Sequence, residues 1–272
     1  MIKTPIYYTG KKEKLLTQIF PHFPSSCDTF FDIFSGSCSV GINYGEKCKE
    51  VIFVDQSPQL QSVISYLKVV PEDIIGSLLY KIVKDNEWLD TKEKYIKYRN
   101  SVKYTYTPID LILLTCVCFN SQMRFNNKGG FNAPYGDRFL VDSMLEKIQE
   151  FCKELQKEKY HILLSDYLSI LDYILLRKES CFVYLDPPYY GSVATYNTGW
   201  DINKERMLFD FLKELNCNGV KFCLSNNKNY NTELKRYESI YNIIDLDYNY
   251  NSCSYHKKDR NQSTGEILIT NY

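Results

Sequence analysis

An aspartate followed by two prolines and a tyrosine, Asp186-Pro187-Pro188-Tyr189, is the stretch whose residue types most clearly suggest chemistry. The five residues before it, Cys181 to Leu185, are apolar or aromatic and predict a strand buried on both faces. Because proline lacks an N–H and has a fixed φ, the strand must end at Asp186. We therefore expect a carboxylate at the carboxyl end of a core strand, where open α/β sheets bind their ligands.

This arrangement suits a planar ring that has an amino substituent. The carboxylate of Asp186 and the carbonyl oxygen of Pro187 can together accept two hydrogen bonds from an exocyclic amine, and Tyr189 can stack on the ring. Adenine and cytosine are bases of this kind. The alternative is an ordinary Asp-Pro turn, but the buried strand before it and the tyrosine after it favour a binding site.

Two other predicted strands end in residues that suit a nucleotide-like ligand. The strand over Thr29 to Phe34 runs into a turn where Gly36 lets the backbone approach a ligand, and the following helix offers free N–H groups. The strand over Val51 to Val54 ends in Asp55, about 20 residues further on, where a carboxylate accepts from ribose hydroxyls. The turn could also be an ordinary βα turn, and Asp55 could cap the helix predicted over Gln59 to Lys68.

Residues 119 to 138 are polar and aromatic, unlike the apolar helix predicted before them over Pro108 to Phe119. Within them, Asn127-Lys128-Gly129-Gly130 predicts a hairpin turn between two amphipathic arms. Arginine, asparagine, glutamine and lysine beside aromatics are the side chains that contact base edges and phosphates. From Arg99 to Arg138 the basic residues are Arg99, Lys103, Arg124, Lys128 and Arg138, and the acidic ones are Asp110 and Asp137. The alternative is a polar surface hairpin without a partner.

The bulk composition sets limits on function. The formal net charge is +0, so binding to nucleic acid must depend on a local basic surface such as this one. The ten cysteines include no C-x-x-C pair and there are three histidines, so no metal site is expected. The sequence has no apolar run of membrane-spanning length and begins without a signal-type segment. We expect a cytoplasmic enzyme with reduced thiols, and the 272 residues suit one large domain or a core with an insertion.

Taken together, these motifs resemble Dam-type enzymes, the α or D12 class of DNA adenine-N6 methyltransferases. Asp186-Pro187-Pro188-Tyr189 resembles motif IV of that family, and the turn at Gly36 and the acid at Asp55 resemble motifs I and II. The stretch over residues 124–136, Arg-x-Asn-x-Lys-Gly-x-Phe-x-x-Pro-Tyr-Gly, resembles the target-recognition hairpin and is the most specific match. The resemblance covers nearly the whole chain. The sequence departs from the motif I pattern at Cys38, where many members of the family have glycine. This difference suggests a slightly different turn.

The resemblance implies that S-adenosylmethionine is the cofactor. In motif X of the family an aromatic residue and a lysine close over the cofactor, and Tyr8 and Lys12 are the matching positions. Asp166 and Tyr167, which follow another predicted strand, are implied to flank its adenine ring. An acid in such a loop is as often a helix cap. The implied cofactor-binding residues are Tyr8, Lys12, Phe34, Ser35, Gly36, Ser37, Ser39, Asp55, Asp166, Tyr167 and Asp186.

The resemblance also implies an α/β fold, a Rossmann-like S-adenosylmethionine-dependent methyltransferase sheet with antiparallel C-terminal strands. Alternating residues place those strands at Tyr248 to Asn251 and Gly265 to Tyr272. Residues 71–138 are expected to form an inserted helical and β-hairpin target-recognition subdomain. Residues 1–70 and 139–272 are expected to form the catalytic domain.

The implied activity is methylation of adenine N6 in double-stranded DNA, at a GATC site, after the adenine has been flipped out of the duplex. Asp186, Pro187 and Tyr189 are the expected catalytic residues. The expected DNA-binding residues are Arg124, Asn126, Lys128, Pro134 and Arg138, of which Arg138 is expected to contact the guanine. Gln122 and Met123 do not match the nearest relatives, so the inner base pairs are less firmly implied. A cognate restriction endonuclease is compatible with this activity as a genetic partner.

Three alternatives stay open at this point. An Asp-Pro-Pro-Tyr turn also fits methylation of cytosine N4, and similar turns occur in methyltransferases of RNA or protein amides. The predicted hairpin favours DNA over these. The chain could also be an inactive DNA-binding relative, against which stand the intact Asp55, Asp186 and Tyr189.

Overall fold

The structure, a computed structural model, describes residues 1–6, 12–85, 91–137, 142–191, 199–247 and 265–272. Within these ranges seven strands form one sheet in the order β3-β2-β1-β4-β5-β7-β6. The strands are β1 (Cys27–Ile33), β2 (Cys48–Asp55), β3 (Tyr160–Leu164), β4 (Cys181–Leu185), β5 (Lys221–Asn227), β6 (Asn242–Asp245) and β7 (Glu266–Thr270). Strands β1 to β5 are parallel, whereas β7 lies antiparallel between β5 and β6. The predicted fold class is confirmed.

Several of the helices begin at a residue whose side chain caps the first turn. Ser57 caps α3, Thr107 and Asp110 form a capping box at α6, and Asp201 caps α9. The helices are α1 (Leu16–Ile19), α2 (Ser39–Tyr44), α3 (Pro58–Val69), α4 (Glu72–Asp85), α5 (Lys92–Ser101), α6 (Pro108–Val117), α7 (Asp142–Leu155), α8 (Leu171–Leu175), α9 (Ile202–Cys217) and α10 (Leu234–Glu238). Among the described residues, no helix is both long and apolar enough to cross a bilayer.

The sheet is covered on both faces because its central strands are apolar throughout. All five residues of β4 are buried, as the sequence predicted. Successive side chains of a strand point to opposite faces, so Phe30 and Phe182 belong to one core and Phe31 and Val183 to the other. The sheet is thereby held rigidly between two helical layers, and the residues at its carboxyl edge have fixed positions.

Residues 71–138 join the core on one face of the sheet. Helix α4 packs against α7, and α6 packs against α3. Their buried side chains, among them Leu79 and Leu113, belong to the same core as Phe53 of β2. The described part of the segment predicted to contact DNA is therefore anchored, through α3 and α7, on the helical layer that covers one face of the sheet.

The antiparallel C-terminal strands are confirmed, but one of them is not where the sequence suggested. Strand β7 (Glu266–Thr270) lies within the predicted stretch. Among the described residues its outer partner is β6 (Asn242–Asp245), and residues 248–251, predicted as that partner, lie outside the described residues. Strand β6 is a four-residue edge strand that is at most half-buried, so its sequence has no alternating pattern to reveal it.

Candidate active site

The carboxyl ends of four neighbouring strands meet at one edge of the sheet. Ser35 N donates to Val54 O at 3.0 Å, and Asp186 N donates to Ile33 O at 3.2 Å. Ser165 N donates to the carbonyl oxygen of Asp55 at 3.2 Å. These backbone bonds connect the ends of β1, β2, β3 and β4. The predicted motif I turn, Asp55 and Asp186 therefore lie side by side, as the predicted parallel sheet requires.

The turn between β1 and α2 has three residues in left-handed backbone conformations. Phe34 has φ 59°, Gly36 has φ 51° and Cys38 has φ 61°. Such conformations favour glycine and cost free energy at other residues, and they cluster at ligand sites. Cys38 thus adopts a backbone conformation that ordinarily favours glycine. Ser39 is buried as the first residue of α2.

Asp55 joins two of these strand ends through its carboxylate. One oxygen accepts a hydrogen bond from Gly36 N at 3.0 Å and the other accepts one from Ser57 N at 2.8 Å. Burial raises the pKa of Asp55, and the two backbone hydrogen bonds oppose the rise. The N-cap of α3 is Ser57, whose side chain accepts from Leu60 N. The alternative interpretation of Asp55 as that cap is therefore wrong.

Asp186 is paired with a lysine from the N-terminal segment. Lys12 Nζ lies 2.9 Å from Asp186 Oδ1, and the two side chains are 3% and 18% exposed. Burial raises the pKa of Asp186 to about 6, with the charge of Lys12 opposing the rise and that of Glu266 adding to it. A pKa of about 6 favours the ionised form of Asp186 at neutral pH, in which both oxygens can accept hydrogens from an amine. Pro187 is buried beside it.

Tyr189 completes this group of charges. Its hydroxyl donates to Glu266 Oε2 at 2.8 Å, and Lys12 Nζ lies 5.0 Å from its ring centroid. Burial, followed by the charges of Asp186 and Glu266, raises the pKa of Tyr189 well above its ordinary value. The hydroxyl is therefore a neutral donor. The lysine occupies one face of the ring by a cation–π contact, so a planar ligand would stack on the other.

The residues at this edge fit S-adenosylmethionine. Among the described residues, Ser37 Oγ and Tyr167 Oη are buried without a hydrogen-bond partner, and such orphaned groups need an acceptor or donor from elsewhere. Tyr167 packs on Phe34 with ring centroids 5.2 Å apart, beside Trp200. Asp55, a carboxylate with lone pairs beyond those used by its two donors, lies at the same edge. A polar ligand with hydroxyl groups and an aromatic ring matches these features.

Asp166 caps a helix, which is the alternative role considered for it from the sequence. Its Oδ1 accepts from Leu168 N at 2.9 Å and caps the 3₁₀ helix Tyr167–Ile170. It is exposed, so a ligand could still contact its other oxygen. Tyr8, predicted beside Lys12, lies outside the described residues.

The predicted hairpin forms, and much of its polar chemistry is used within it. Phe125 bridges to Phe131, and Asn126 Oδ1 accepts from the N–H groups of Lys128 and Gly130, both at 2.9 Å. Asn126 therefore stabilises the turn, whereas the Lys128 side chain is exposed at its tip.

The other predicted DNA-binding residues differ in their placement. Arg124 donates from Nε to Asn132 Oδ1 at 3.0 Å and from Nη2 to Asn132 O at 2.9 Å, which fixes its guanidinium across the hairpin. Pro134 is exposed, and its carbonyl oxygen accepts from Phe119 N. Arg138, predicted to contact guanine, lies outside the described residues.

Two buried acids at this edge were not singled out from the sequence. Asp32 Oδ2 accepts from Gly41 N at 2.8 Å, and burial raises its pKa well above the ordinary value. Glu266, 2% exposed, heads the otherwise apolar strand β7. An acid at the end of an apolar strand is the signal that could have identified either residue.

Comparison with protein families gives one match over most of the chain. Residues 8–259 match the model of the D12 class of N6 adenine-specific DNA methyltransferases. The modification methylase StsI of Streptococcus sanguinis is 34% identical over 289 residues, and the type II methyltransferase M.FokI of Planomicrobium okeanokoites is 34% identical over 288 residues. Each alignment covers 100% of this chain and 43% of the relative, so the chain spans less than half the length of these two proteins.

A relative of similar length also matches. The type II methyltransferase M.CviBI of Paramecium bursaria Chlorella virus NC1A is 26% identical over 202 residues, which is 72% of each chain. A DNA adenine methylase of Vibrio cholerae is 22% identical over 236 residues, covering 83% of this chain and 81% of the relative.

Proposed function

The chain belongs to the D12 class of N6 adenine-specific DNA methyltransferases, and we propose on that premise that it methylates adenine N6 in double-stranded DNA. The observation that supports this best is the position of Asp186, which pairs with Lys12 at the end of β4, beside Asp55 and the β1–α2 turn. One acidic group faces the reacting amine, and the neighbouring strand ends suit a nucleoside cofactor.

Asp186 and Pro187 act on the amine of the target base. The carboxylate and the carbonyl oxygen accept the two N6 hydrogens, which draws the nitrogen toward tetrahedral geometry and makes its lone pair available. The carboxylate also stabilises the positive charge that develops on N6. Since both acceptors sit on a rigid strand end, most of the gain comes from alignment of the reactants.

S-adenosylmethionine would be held by Asp55, the turn from Phe34 to Ser37, and Tyr167. It supplies a methyl group bonded to a positively charged sulfur. In this arrangement Asp55 accepts from the ribose hydroxyls and Tyr167 lies beside the adenine ring, while the buried Ser37 hydroxyl gains a partner. Lys12, and Tyr8 before it, would close the site from the N-terminal segment.

The target adenine must leave the duplex to reach this edge, because Asp186 lies at the buried end of a core strand. The side chain of Phe119 is suited to fill the space that the flipped adenine leaves in the duplex. Its side chain is 54% exposed, and the next two residues, Asn120 and Ser121, have φ of 56° and 52°. An exposed aromatic ring on a strained loop beside the hairpin is suited to insertion into a base step.

Sequence recognition is assigned to the hairpin within the proposed recognition subdomain, residues 71–138. Lys128 at the exposed tip suits a phosphate contact, and Arg124 and Asn126 support the two arms. The family resemblance suggests GATC as the site, with Arg138 donating to guanine O6 and N7. We propose a cytoplasmic enzyme. Since relatives are named type II methyltransferases, we also propose a cognate restriction endonuclease as genetic partner.

A labelling experiment tests this function. The protein is incubated with S-adenosylmethionine labelled in its methyl group and with duplex DNA, single-stranded DNA or RNA, and the products are digested to nucleosides. We expect label in N6-methyldeoxyadenosine from duplex DNA, and methylation-sensitive sequencing then gives the site. Label in N4-methylcytosine or in RNA would replace the proposal by the corresponding alternative, and binding of DNA without transfer would indicate an inactive relative.

A further inference from the structure

Glu266 is buried at the active edge, although nothing in the formation of a strand requires an acid there. It is the first residue of β7, followed by Ile-Leu-Ile-Thr, and it pairs with Asn227 in the antiparallel register with β5. Its side chain is 2% exposed. A buried carboxylate is retained at a folding cost only where hydrogen bonds or charges compensate for its dehydration, so its partners indicate what it does.

The hydrogen bonds of Glu266 lead to the target-base site. Oε2 accepts from the hydroxyl of Tyr189 at 2.8 Å, and Oε1 accepts from the side-chain amide of Asn227 at the longer distance of 3.4 Å. Tyr189 in turn has Lys12 over its ring, and Lys12 pairs with Asp186. An acid on the last strand is thus connected through a tyrosine and a lysine to the acid after β4.

We propose that Glu266 is a positioning residue for methyl transfer, which orients the ring of Tyr189 for base stacking and balances the charge of Lys12 beside Asp186. This deepens the function proposed above and depends on it. A hydrogen bond at the hydroxyl fixes the tilt of the ring before the base arrives, and Lys12 over one face restrains its rotation. Such preorganisation supports alignment of the amine.

The charge of Glu266 has a separate effect on Asp186. Among the described residues, the ionisable groups that face Asp186 are Lys12 of the N-terminal segment, Asp32 of β1, Tyr184 of β4, Tyr189 of the following loop and Glu266 of β7. Of these, Glu266 is a negative group that raises the pKa of Asp186. Glu266→Gln removes that charge, so the pKa of Asp186 must fall below its value of about 6. Asp186 then stays ionised to lower pH.

Three variants separate the effect of Glu266 on the orientation of the Tyr189 ring from its effect on the pKa of Asp186. Glu266→Gln keeps an oxygen that can accept from Tyr189 and removes only the charge. Tyr189→Phe keeps the ring and removes the hydroxyl, which donates to Glu266 and also hydrogen-bonds Asp186. Glu266→Ala removes both the charge and the acceptor for Tyr189. Tyr160→Phe is the matched control, because it removes a hydroxyl that donates to Glu154 at 2.8 Å from the amino-terminal end of β3, away from the active edge.

The measurements are single-turnover methylation of duplex DNA as a function of pH and calorimetric binding of S-adenosylmethionine. We expect Glu266→Ala and Tyr189→Phe to lower the single-turnover rate by about 10- to 100-fold, the scale of a small misplacement of reacting groups. Cofactor affinity should change less than about threefold on the same argument. The double variant Glu266→Ala with Tyr189→Phe should be no slower than Tyr189→Phe, since the tyrosine change already removes the contact that the glutamate change breaks. Glu266→Gln should keep most of the rate, and the acidic limb of the single-turnover rate should move to lower pH.

The outcomes distinguish a failure of this proposal from a failure of the proposed function on which it rests. If the unmodified protein does not methylate adenine in DNA, the proposed function fails. If it does, and Tyr189→Phe and Glu266→Gln behave like Tyr160→Phe in both rate and pH dependence, the role of Glu266 is refuted. These two variants keep the side-chain volume, so the test does not depend on the folding of Glu266→Ala.

Discussion

The active edge and the hairpin are built from contacts of very different range. At the edge, the hydrogen bond between Tyr189 and Glu266 joins residues 77 positions apart, and the participating side chains are largely buried. In the hairpin, Arg124 and Asn132 are eight positions apart and exposed. The cluster at the active edge therefore forms only when the sheet has folded, and its charged side chains are held in place by the groups around them. The hairpin turn is closed by hydrogen bonds between near neighbours, although Tyr95 and Tyr106 also donate to the hairpin backbone. The hairpin presents the polar side chains of Arg124 and Lys128 to solvent.

This difference predicts where substitutions act. In a buried cluster, loss of one charge leaves its partner dehydrated and unpaired, and rates change by orders of magnitude. On an exposed hairpin, water replaces a lost partner, so effects are smaller and appear in DNA binding. The predictions below test that contrast, from the largest expected effect to the smallest.

The largest effect is expected for Asp186→Ala. Loss of the carboxylate removes an acceptor for the amine hydrogens and the charge facing N6, so the single-turnover rate should fall by about 10²–10³-fold or more. Binding of S-adenosylmethionine, measured by calorimetry, should fall far less. Asp186→Asn keeps an acceptor oxygen and should lose less activity than the alanine variant. Turnover near that of the unmodified protein in Asp186→Ala would contradict the assignment.

Asp55→Ala should act on the cofactor rather than on DNA. The expected loss of affinity for S-adenosylmethionine is about 1–3 kcal/mol, the cost of leaving buried polar groups unpaired. Asp201→Ala is the control, because this carboxylate also accepts from two backbone N–H groups, those of Asn203 and Lys204, but caps α9. A folded Asp55→Ala protein with unchanged cofactor affinity would remove Asp55 from the cofactor site.

These two regions also differ in how far the sequence predicts them. The turn of the hairpin follows from Asn127-Lys128-Gly129-Gly130, because the hydrogen bonds that close it join near neighbours. The strand end at Asp186 follows from the buried run before it and the prolines after it. The pairing of Lys12 with Asp186 and that of Glu266 with Tyr189 do not follow from any local pattern. The second pairing depends on the strand order, which brings β7 beside β5. The first depends on the N-terminal segment, which brings Lys12 to the end of β4.

Arg138→Ala tests whether the hairpin arm contacts a base. A bidentate contact with guanine predicts a loss of about 1–3 kcal/mol of discrimination at one position of the site. Lys128→Ala, at the exposed tip, should instead weaken binding to all sequences alike and lower the salt dependence by about one charge. A methylation assay on randomised targets measures both. Uniform loss across sites in Arg138→Ala would reassign that arginine to the phosphate backbone.

Two glycines allow the smallest expected effects to be compared between the regions. At Gly129 the backbone has φ +77° and an added Cβ would meet nothing within 4 Å. Gly129→Ala should therefore cost only the left-handed conformation, about 1–2 kcal/mol of unfolding free energy at most. At Gly41 an added Cβ would lie 2.5 Å from the Phe53 ring and 2.9 Å from Asp32 Oδ2. Gly41→Ala should cost about 1–3 kcal/mol through overpacking.

The two variants should differ more clearly in which binding step they impair than in how much unfolding free energy they lose. Because Gly41 N donates to Asp32 behind the β1–α2 turn, Gly41→Ala should weaken binding of S-adenosylmethionine and leave the KM for DNA nearly unchanged. Gly129 O accepts from the hydroxyl of Tyr106 at the hairpin tip, so Gly129→Ala should raise the KM for DNA with cofactor affinity preserved. Denaturant unfolding, calorimetry and initial rates on both proteins give the comparison. If Gly129→Ala weakened cofactor binding as much as Gly41→Ala, the hairpin and the edge would be coupled, and their separation into local and long-range structures would fail.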